Sequence, residues 1–232
     1  MASFDELIER LAGFYGPLRM PPDDPFGFYV WEVLGTRTSA GRRDAAMTAL
    51  RRVPALTPDA VGRLARGRLE AVVRQCGSLV EERMAALEAG ATVFRRQPRL
   101  AERLAGPLRQ AWVAARDLPH LGHAGALGVL LFAGSGRLAP VDEGLTRFAT
   151  RFGLVPPLAN RRRLARDVRR HLTARLPADA AARRKAVLYL QHHAGHTCVE
   201  VVPHCNACPL VDACAEGRSR RAGRHPGGSL WG

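Results

Sequence analysis

An all-α fold is predicted by three features of the 232-residue sequence. Apolar residues recur at spacings of three and four along most of the chain, which is the period of an amphipathic helix. No segment alternates apolar and polar residues with period two between hairpin turns, so no sheet is predicted. Clusters rich in Gly and Pro divide the chain into short segments. Together these features predict about ten short helices.

The first half of the chain contains apolar faces and one clear helix start. The first helix carries an apolar stripe made of Phe4, Leu7, Ile8, Leu11 and Phe14. A later helix is expected to begin at Thr57 and Pro58, because Thr caps helices well and Pro suits the first helical position. One helical face is then formed by Leu64, Leu69, Val72, Val73 and Cys76. Cys76 lies alone on that face and is predicted to be a core residue.

Longer helices are predicted over 79–94 and 99–118, the second irregular at Pro107 because proline cannot donate a backbone hydrogen bond. Asp142 can cap a helix over 143–151. Breaks between helices are expected at 21–25, 77–78, 134–140, 154–160 and 176–179.

The charge of the chain favours a polyanionic partner. The formal net charge is +14, from 35 basic and 21 acidic residues, and nucleic acid is the commonest partner of such a protein. Lys185 is the only lysine. A codon bias explains arginine in place of lysine but not the excess of positive charge. Because the basic residues are spread along the chain, nucleic acid is favoured over a membrane surface.

No targeting or membrane segment is predicted. The N-terminal segment lacks a basic region followed by an apolar run, and the longest apolar run, GALGVLLFAG, is too short to cross a bilayer. We therefore expect a cytoplasmic, nucleoid-associated protein in a reducing environment, where disulfides are rare.

Four of the five cysteines fall within seventeen residues, in the pattern C-x6-C-x2-C-x5-C. They are Cys198, Cys205, Cys208 and Cys214. Four thiolates at such spacing suit tetrahedral zinc or an iron–sulfur cluster. Zinc sites usually contain two C-x2-C pairs, whereas this motif has one, and its longer loops favour the bulkier cluster.

This cysteine pattern, near the end of a basic all-α chain, resembles the iron–sulfur loop of endonuclease III and the adenine glycosylases. These are members of the helix-hairpin-helix DNA glycosylase superfamily. The resemblance implies a 4Fe–4S cluster held by the four cysteines. It also implies two helical lobes with DNA bound in the cleft between them.

A second match is the segment LPHLGHAGALGVLL at 118–131, which resembles the family's hairpin, L-P-G-h-G-x-x-T-A. Pro119 and Gly122 match it, while His120 replaces the first glycine. Histidine tolerates a positive φ better than most residues, so the turn is expected to survive. Backbone N–H groups at such a turn hold a DNA phosphate. The resemblance thus assigns DNA binding to Pro119, His120, Leu121, Gly122, His123 and Ala124.

A third match is VDEGLTRFATRFGL at 141–154, similar to the family's V-D-x-x-h-x-R-h. It implies that Asp142 stabilises the sugar cation formed as the base leaves, with a structural role for Arg147. The family's bifunctional members carry a Schiff-base lysine where this chain has Ala124. Since Lys185 is predicted on a helix leading to the cysteines, we expect a monofunctional enzyme that uses water as the nucleophile.

A weaker match, WEVLGTRTS at 31–39, resembles a segment of the adenine glycosylases. It aligns Glu32 with their general acid, although a glutamate on the polar face of a helix is the alternative. Arg37 takes the place of the glutamine that fills the gap left by a flipped base. An arginine can serve there because its guanidinium both stacks and donates hydrogen bonds.

The resemblance implies a six-helix barrel with the hairpin at 27–138. A cluster domain would combine 1–26 with 139–216, followed by a flexible tail at 217–232. The expected function is a base-excision DNA glycosylase, acting as a monomer on double-stranded DNA that contains a damaged or mismatched base. Two alternatives remain. One is a DNA-binding protein of glycosylase fold with weak or no catalysis, and the other is a zinc-containing DNA-binding protein.

Overall fold

A computed structural model describes residues 3–52, 56–134 and 136–223. Within these ranges the protein contains no strand, which confirms the all-α prediction, and thirteen α-helices rather than about ten. They are α1 Phe4–Tyr15, α2 Pro25–Gly35, α3 Ala40–Arg51, α4 Pro58–Arg63, α5 Arg66–Val73, α6 Val80–Arg96, α7 Leu100–Ala105, α8 Leu108–Arg116, α9 Gly122–Ala133, α10 Glu143–Phe152, α11 Arg161–Thr173, α12 Ala180–His196 and α13 Ala215–Arg221. Two 3₁₀ helices cover Arg74–Cys76 and Cys205–Ala207.

Local capping explains where several helices begin. The Ser3 hydroxyl accepts a hydrogen bond from the Glu6 N–H at 3.2 Å, and the Glu6 carboxylate accepts one from the Ser3 N–H at 2.6 Å. This reciprocal box satisfies two N–H groups that a helix end otherwise leaves without partners. Thr57 caps α4 as predicted, with Pro58 at its first position.

Two predicted helices are each divided in the structure. Gly106 and Pro107 separate α7 from α8, because proline has no N–H to continue the ladder and disfavours helical backbone in the residue before it. The apolar face that begins at Leu64 is also not one helix. Leu64 ends α4 in extended conformation, α5 starts only at Arg66, and Cys76 lies in a 3₁₀ turn.

The helices form two compact units, one made of residues 21–137 and one of 1–20 with 138–232. The first contains α2 to α9 among its described residues, and it has six helices if each divided pair is counted once. Its central helix is α2, which packs on α3, α6 and α9 and buries Phe28, Tyr29 and Leu34. Cys76 is buried, as predicted.

The second unit packs α1, α10, α11 and α12 around one core. Leu7, Ile8 and Leu11 of α1 are buried in it, whereas Phe14 is half exposed, contrary to the predicted stripe. Gly16 ends α1 at φ 68°, and the carbonyl of Gly16 accepts a hydrogen bond from the Tyr189 hydroxyl of α12 at 2.7 Å. The N-terminal helix is therefore tied to a helix that lies more than 160 residues later.

The tail predicted from 217 onward begins differently, because α13 keeps 215–221 helical. Residues 224–232 of that tail lie outside the described residues. None of the helices in the described ranges has the length and apolarity needed to cross a membrane.

Candidate nucleic-acid interface and cysteine pocket

The segment 117–122 forms a tight hairpin between α8 and α9, which pack on each other. Two residues of the turn have positive φ angles, His120 at 63° and Gly122 at 61°. The expectation that histidine accommodates the turn is therefore confirmed. Leu118 is buried and anchors the turn, and no side chain caps the first turn of α9. The N–H groups of this helix start are thus left available for a ligand of opposite charge.

Trp112 is a residue of this region that sequence reasoning missed. It lies on α8, and its ring meets that of His123 edge-on, with 4.9 Å between ring centroids. The Arg116 guanidinium lies 6.0 Å from the centroid of the Trp112 ring. A lone tryptophan seven residues before a hairpin proline is the only signal that the sequence offered.

The packing of α2 on α9 brings Glu32 to the hairpin helix. A Cβ added at Gly125 would lie 3.4 Å from Glu32 Oε1 and 3.4 Å from its Cγ. The glycine thus lets the glutamate approach the first turn of α9. Glu32 and Ala124 are both half-buried.

Arg37 lies in the exposed turn between α2 and α3, in the left-handed region at φ 48°. The turn is held on both sides of this residue. Buried Arg83 of α6 donates to the carbonyls of Thr36 and Ser78, and the Thr38 hydroxyl donates to the Cys76 carbonyl at 2.8 Å. Anchored neighbours of this kind maintain a backbone conformation that is unfavourable for an arginine.

Asp142 belongs to the other unit, where it caps α10 as predicted. Its carboxylate oxygen Oδ1 accepts a hydrogen bond from the Leu145 N–H at 2.7 Å. The residue as a whole is exposed, but its buried neighbours Val141 and Leu145 partly desolvate the carboxyl group. This desolvation raises the pKa of Asp142, while the Leu145 N–H and the Arg147 guanidinium oppose the shift. The pKa of Asp142 is therefore higher than the usual value of an aspartate.

Two arginines of α10 fix the loop that contains the first cysteine of the motif. Arg147 donates to the carbonyls of Ala194 at 2.7 Å and Cys198 at 2.9 Å, which is a structural role as predicted. One turn later, Arg151 donates to the Val199 carbonyl at 2.5 Å. The helix that starts at Asp142 is thus bonded directly to the cysteine loop.

All four cysteines of the motif line one pocket that is partly open to solvent. None of them is in a disulfide. The wall is mostly apolar, with Phe148, Phe152, Leu210 and Val211 among its residues. Within the described ranges, no three Cys, His, Asp or Glu side chains converge where they could hold a single metal ion. Burial raises the pKa of the Cys208 thiol to about 11, so a thiolate here requires a positively charged partner.

Several solved structures of DNA glycosylases superpose on this chain. An endonuclease III in a trapped covalent intermediate with DNA superposes with a TM-score of 0.66 at 17% identity, covering 95% of this chain and 100% of its own. A thermostable thymine-DNA glycosylase gives 0.68 at 18% identity, covering 93% and 97%. The 3-methyladenine DNA glycosylase MagIII of H. pylori, bound to 1,N6-ethenoadenine, gives 0.62 at 13% identity, covering 86% and 100%. The fold is that of the helix-hairpin-helix DNA glycosylases.

At these identities the likeness concerns the fold. No family model matches the sequence, and no curated protein matches it at a significant level. The superpositions cover nearly the whole chain, so both structural units belong to the glycosylase fold.

The cysteine pocket of this glycosylase fold includes a buried histidine that the sequence analysis did not single out. His193 of α12 lies among Tyr15, Thr197 and Cys208. Burial lowers the pKa of His193 to about 4 and raises that of Tyr15. Three histidines in the six residues before the first cysteine were the sequence signal that could have found it.

The most basic element of the fold is α11, with the sequence RRRLARDVRRHLT. Val168 and Leu172 face the core, while Arg161, Arg162, Arg163, Arg166 and Arg170 are exposed. Asp167 is its only acidic residue and lies 3.5 Å from Arg170 and 4.0 Å from Arg163. This leaves a strongly positive face on the unit that contains the cysteine pocket.

Proposed function

We propose that this protein is a DNA N-glycosylase of the endonuclease III type that removes a damaged or mismatched base from double-stranded DNA. The observation that carries the proposal is the hairpin at 117–122, with positive φ angles at His120 and Gly122 and an uncapped helix start after it. In this proposal the backbone N–H groups of Gly122, His123 and Ala124 bind a DNA phosphate. The DNA complexes of endonuclease III support that role.

Asp142 and Glu32 would carry the chemistry. Asp142 stabilises the positive charge that develops on the sugar as the base leaves. Glu32 donates a proton to the departing base, as a general acid does. The contact of Glu32 with the hairpin helix supports its assignment, and the raised pKa of Asp142 is typical of carboxyl groups at functional sites.

Water would be the nucleophile, and the enzyme would therefore be monofunctional. Ala124 offers neither an amine nor a base at the position of the family's Schiff-base lysine. The single lysine, Lys185, lies on α12 with its Nζ 3.7 Å from Glu9 Oε1. No lysine is thus available at the hairpin for a Schiff base.

Arg37 would occupy the space that the extruded base leaves in the duplex. Its exposure and the anchoring of Thr36 and Thr38 support this role. A guanidinium can stack on neighbouring bases and donate hydrogen bonds to an unpaired partner.

A 4Fe–4S cluster would bind at Cys198, Cys205, Cys208 and Cys214. The donor set fits this group, because four thiols line one largely apolar pocket and a 4Fe–4S cluster takes one thiolate at each of its irons. When bound, the cluster would supply structural support and a redox-sensitive group. The expected monomeric state and nucleoid location remain predictions.

The test is a base-release assay with the purified protein. The panel of duplexes should contain uracil, oxidised pyrimidines, thymine mispairs, alkylated purines, ethenoadenine, and adenine opposite 8-oxoguanine. Each reaction is divided, and one half receives hot alkali.

Strand breaks seen only after alkali are the expected result and identify the substrate class. Breaks without alkali would contradict the argument from Ala124. DNA binding without base release on any duplex would favour the non-catalytic alternative.

A further inference from the structure

Three polar side chains, those of Thr197, Tyr15 and His193, form a chain of contacts that ends at Cys208 of the motif. The Tyr15 hydroxyl of α1 lies 2.5 Å from Thr197 Oγ1 and 2.9 Å from His193 Nδ1. The opposite ring nitrogen, His193 Nε2, lies 3.8 Å from Cys208 Sγ. Both His193 and Thr197 are buried, so these contacts supply hydrogen-bond partners in place of water.

The protons of this chain have two consistent arrangements. In one, the Tyr15 hydroxyl donates to Nδ1, Nε2 carries the proton and donates to Cys208 Sγ, and Thr197 donates to Tyr15. In the other, Nδ1 donates to Tyr15, Tyr15 donates to Thr197, and Nε2 accepts from the Cys208 thiol. The free thiol is compatible with either arrangement.

A thiolate at Cys208 is compatible with only one. Without a thiol proton, the second arrangement would place the lone pair of Nε2 against a negatively charged sulfur in a buried site. The first arrangement places an N–H there instead. Binding of a cationic group at Cys208 would thus fix the tautomer of His193 through the sulfur on one side and Tyr15 on the other.

We infer that His193 is a positioning residue that donates an N–H hydrogen bond to the Cys208 thiolate, and that Tyr15 and Thr197 hold it in the donating tautomer. This inference rests on the proposed cofactor, since it concerns Cys208 as a ligand of the cluster. Hydrogen bonds to ligand sulfurs withdraw electron density from the cluster and raise its reduction potential. The Leu210 N–H, 3.4 Å from the same sulfur, adds a second donor.

The arrangement also gives α1 a role at the cofactor. Tyr15 is the last residue of α1, and its ring meets His192 edge-on at a centroid distance of 4.6 Å. His193 in turn meets Phe148 edge-on at 5.5 Å. The imidazole is therefore held between α1 and α10, and its orientation does not depend on the sulfur contact alone.

The first measurement concerns the wild-type protein, purified without oxygen. Its iron content and visible absorbance test the proposed cofactor by themselves. A protein without iron would overturn the cofactor proposal, and this inference with it, while leaving base release to be judged separately.

The second measurement is the reduction potential of the cluster in matched variants, by protein-film voltammetry. His193→Leu should lower the potential, and His193→Gln should restore part of it, because an amide can donate to the same sulfur. Tyr15→Phe should lower it less than His193→Leu, and Thr197→Val least. His196→Gln is the control, because this exposed histidine one turn away should leave the potential unchanged.

An unchanged potential in a fully loaded His193→Leu protein would overturn the inference, as would an equal shift in the His196→Gln control. If His193→Leu does not take up iron, the order of the Tyr15→Phe and Thr197→Val potentials decides. A reduction potential that falls more in Tyr15→Phe than in Thr197→Val supports the inference. Potentials that are unchanged in both variants refute it. Resonance Raman spectra of the Fe–S(Cys) stretch should shift on transfer to D₂O in the wild type and should shift less in His193→Leu, where the Leu210 N–H still donates to the same sulfur.

Discussion

At the scale of single residues, Asp142 combines a structural and a proposed chemical task. It caps α10 through the Leu145 N–H, and an asparagine can make the same bond. Asp142→Asn therefore separates the two tasks, because it keeps the cap and removes the negative charge. We expect base release to fall by about 100-fold or more, the usual cost of removing a group that stabilises charge in the transition state. DNA affinity should remain near that of the wild type.

Single-turnover rates and fluorescence anisotropy measure these two quantities. Glu143→Gln is a matched control, since it removes a charge from the same exposed helix start without touching the cap. Retention of full activity in Asp142→Asn would contradict the assigned role.

The same substitution has a pH-dependent effect on stability. Because the pKa of Asp142 is raised on folding, the folded state binds the proton more tightly than the unfolded state. The contribution of Asp142 to the free energy of unfolding is therefore greatest below its unfolded pKa, and it is lost as the pH rises through its folded pKa. At pH near 7, Asp142→Asn should therefore have the higher melting temperature.

This advantage should shrink as the pH falls to about 4, the ordinary range of an aspartate. Thermal melts over this interval measure it. A melting-temperature advantage of Asp142→Asn over the wild type that grows towards acid pH would contradict this prediction.

Some of these residue roles follow from the sequence and others do not. The cap at Asp142 and the turn at His120 are local, since the residues concerned are neighbours in the chain. The contact of Tyr15 with His193 joins positions 178 residues apart, and no periodicity encodes it. Buried Arg83 was also missed, because its partners are backbone carbonyls, which every sequence contains.

At the scale of elements, the hairpin offers a test that distinguishes backbone from side chain. Gly122 has a φ of 61° with open space where a Cβ would lie, so Gly122→Ala should cost about 1 kcal/mol of backbone strain. Its DNA affinity should fall because the turn is displaced. His120→Gly relieves a comparable strain at φ 63° and should keep the affinity.

Anisotropy titrations on one duplex, with chemical denaturation for stability, measure both effects. If His120→Gly weakens binding as much as Gly122→Ala does, then the imidazole itself contacts DNA and the backbone explanation is incomplete.

The arginines of α11 provide a second prediction at this scale. Three of them stand in the first turn, where positive charge opposes the helix dipole. Such an arrangement is favourable only with an anion nearby, and we expect DNA phosphates. Changing Arg161, Arg162, Arg163 and Arg166 together to Gln should weaken binding to any duplex.

The slope of log K against log salt should also become shallower, by up to about 0.9 for each phosphate that the variant no longer neutralises. The matched control replaces the same four residues with Lys, which keeps the charge and should keep most of the slope. An unchanged slope in the Gln variant would show that the arginines of α11 do not bind DNA phosphates.

Helix existence was predictable and helix continuity was not. The predicted apolar face placed Leu64 on the same helix as Leu69, yet Leu64 adopts extended backbone. Gly62 and Gly67 flank this break, but an isolated glycine inside a helical pattern is tolerated and does not by itself predict an end. Both α4 and α5 pack on α6. At Pro107 the proline itself predicted an irregular helix, and in the structure two separate helices, α7 and α8, lie on either side of it.

At the scale of the whole molecule, the cysteine pocket should affect one unit only. The residues that line it lie in the unit formed by α1 and α10 to α13. If the proposed cluster is bound, Cys208→Ala should lower iron content and reduce hydrogen-exchange protection in α10 to α12, since a bound metal group contributes to the stability of the fold around it.

Protection should fall in α1 as well, while 21–137 should be unaffected. Cys76→Ala is the matched control, because this cysteine is buried in the other unit. A uniform loss of protection over both units would show that they unfold together.

The interruption of one unit by the other has a consequence for synthesis on the ribosome. Residues 21–137 can fold as soon as they emerge, whereas α1 lacks α12, the helix against which it packs most extensively, until that helix has been made. About 60 residues separate 137 from the end of α12, which corresponds to roughly 3–12 s of translation at about 5–20 residues per second. During that interval the core that buries the apolar side chains Leu7, Ile8 and Leu11 is incomplete. The nascent chain should therefore be a substrate for chaperones that bind its N-terminal segment.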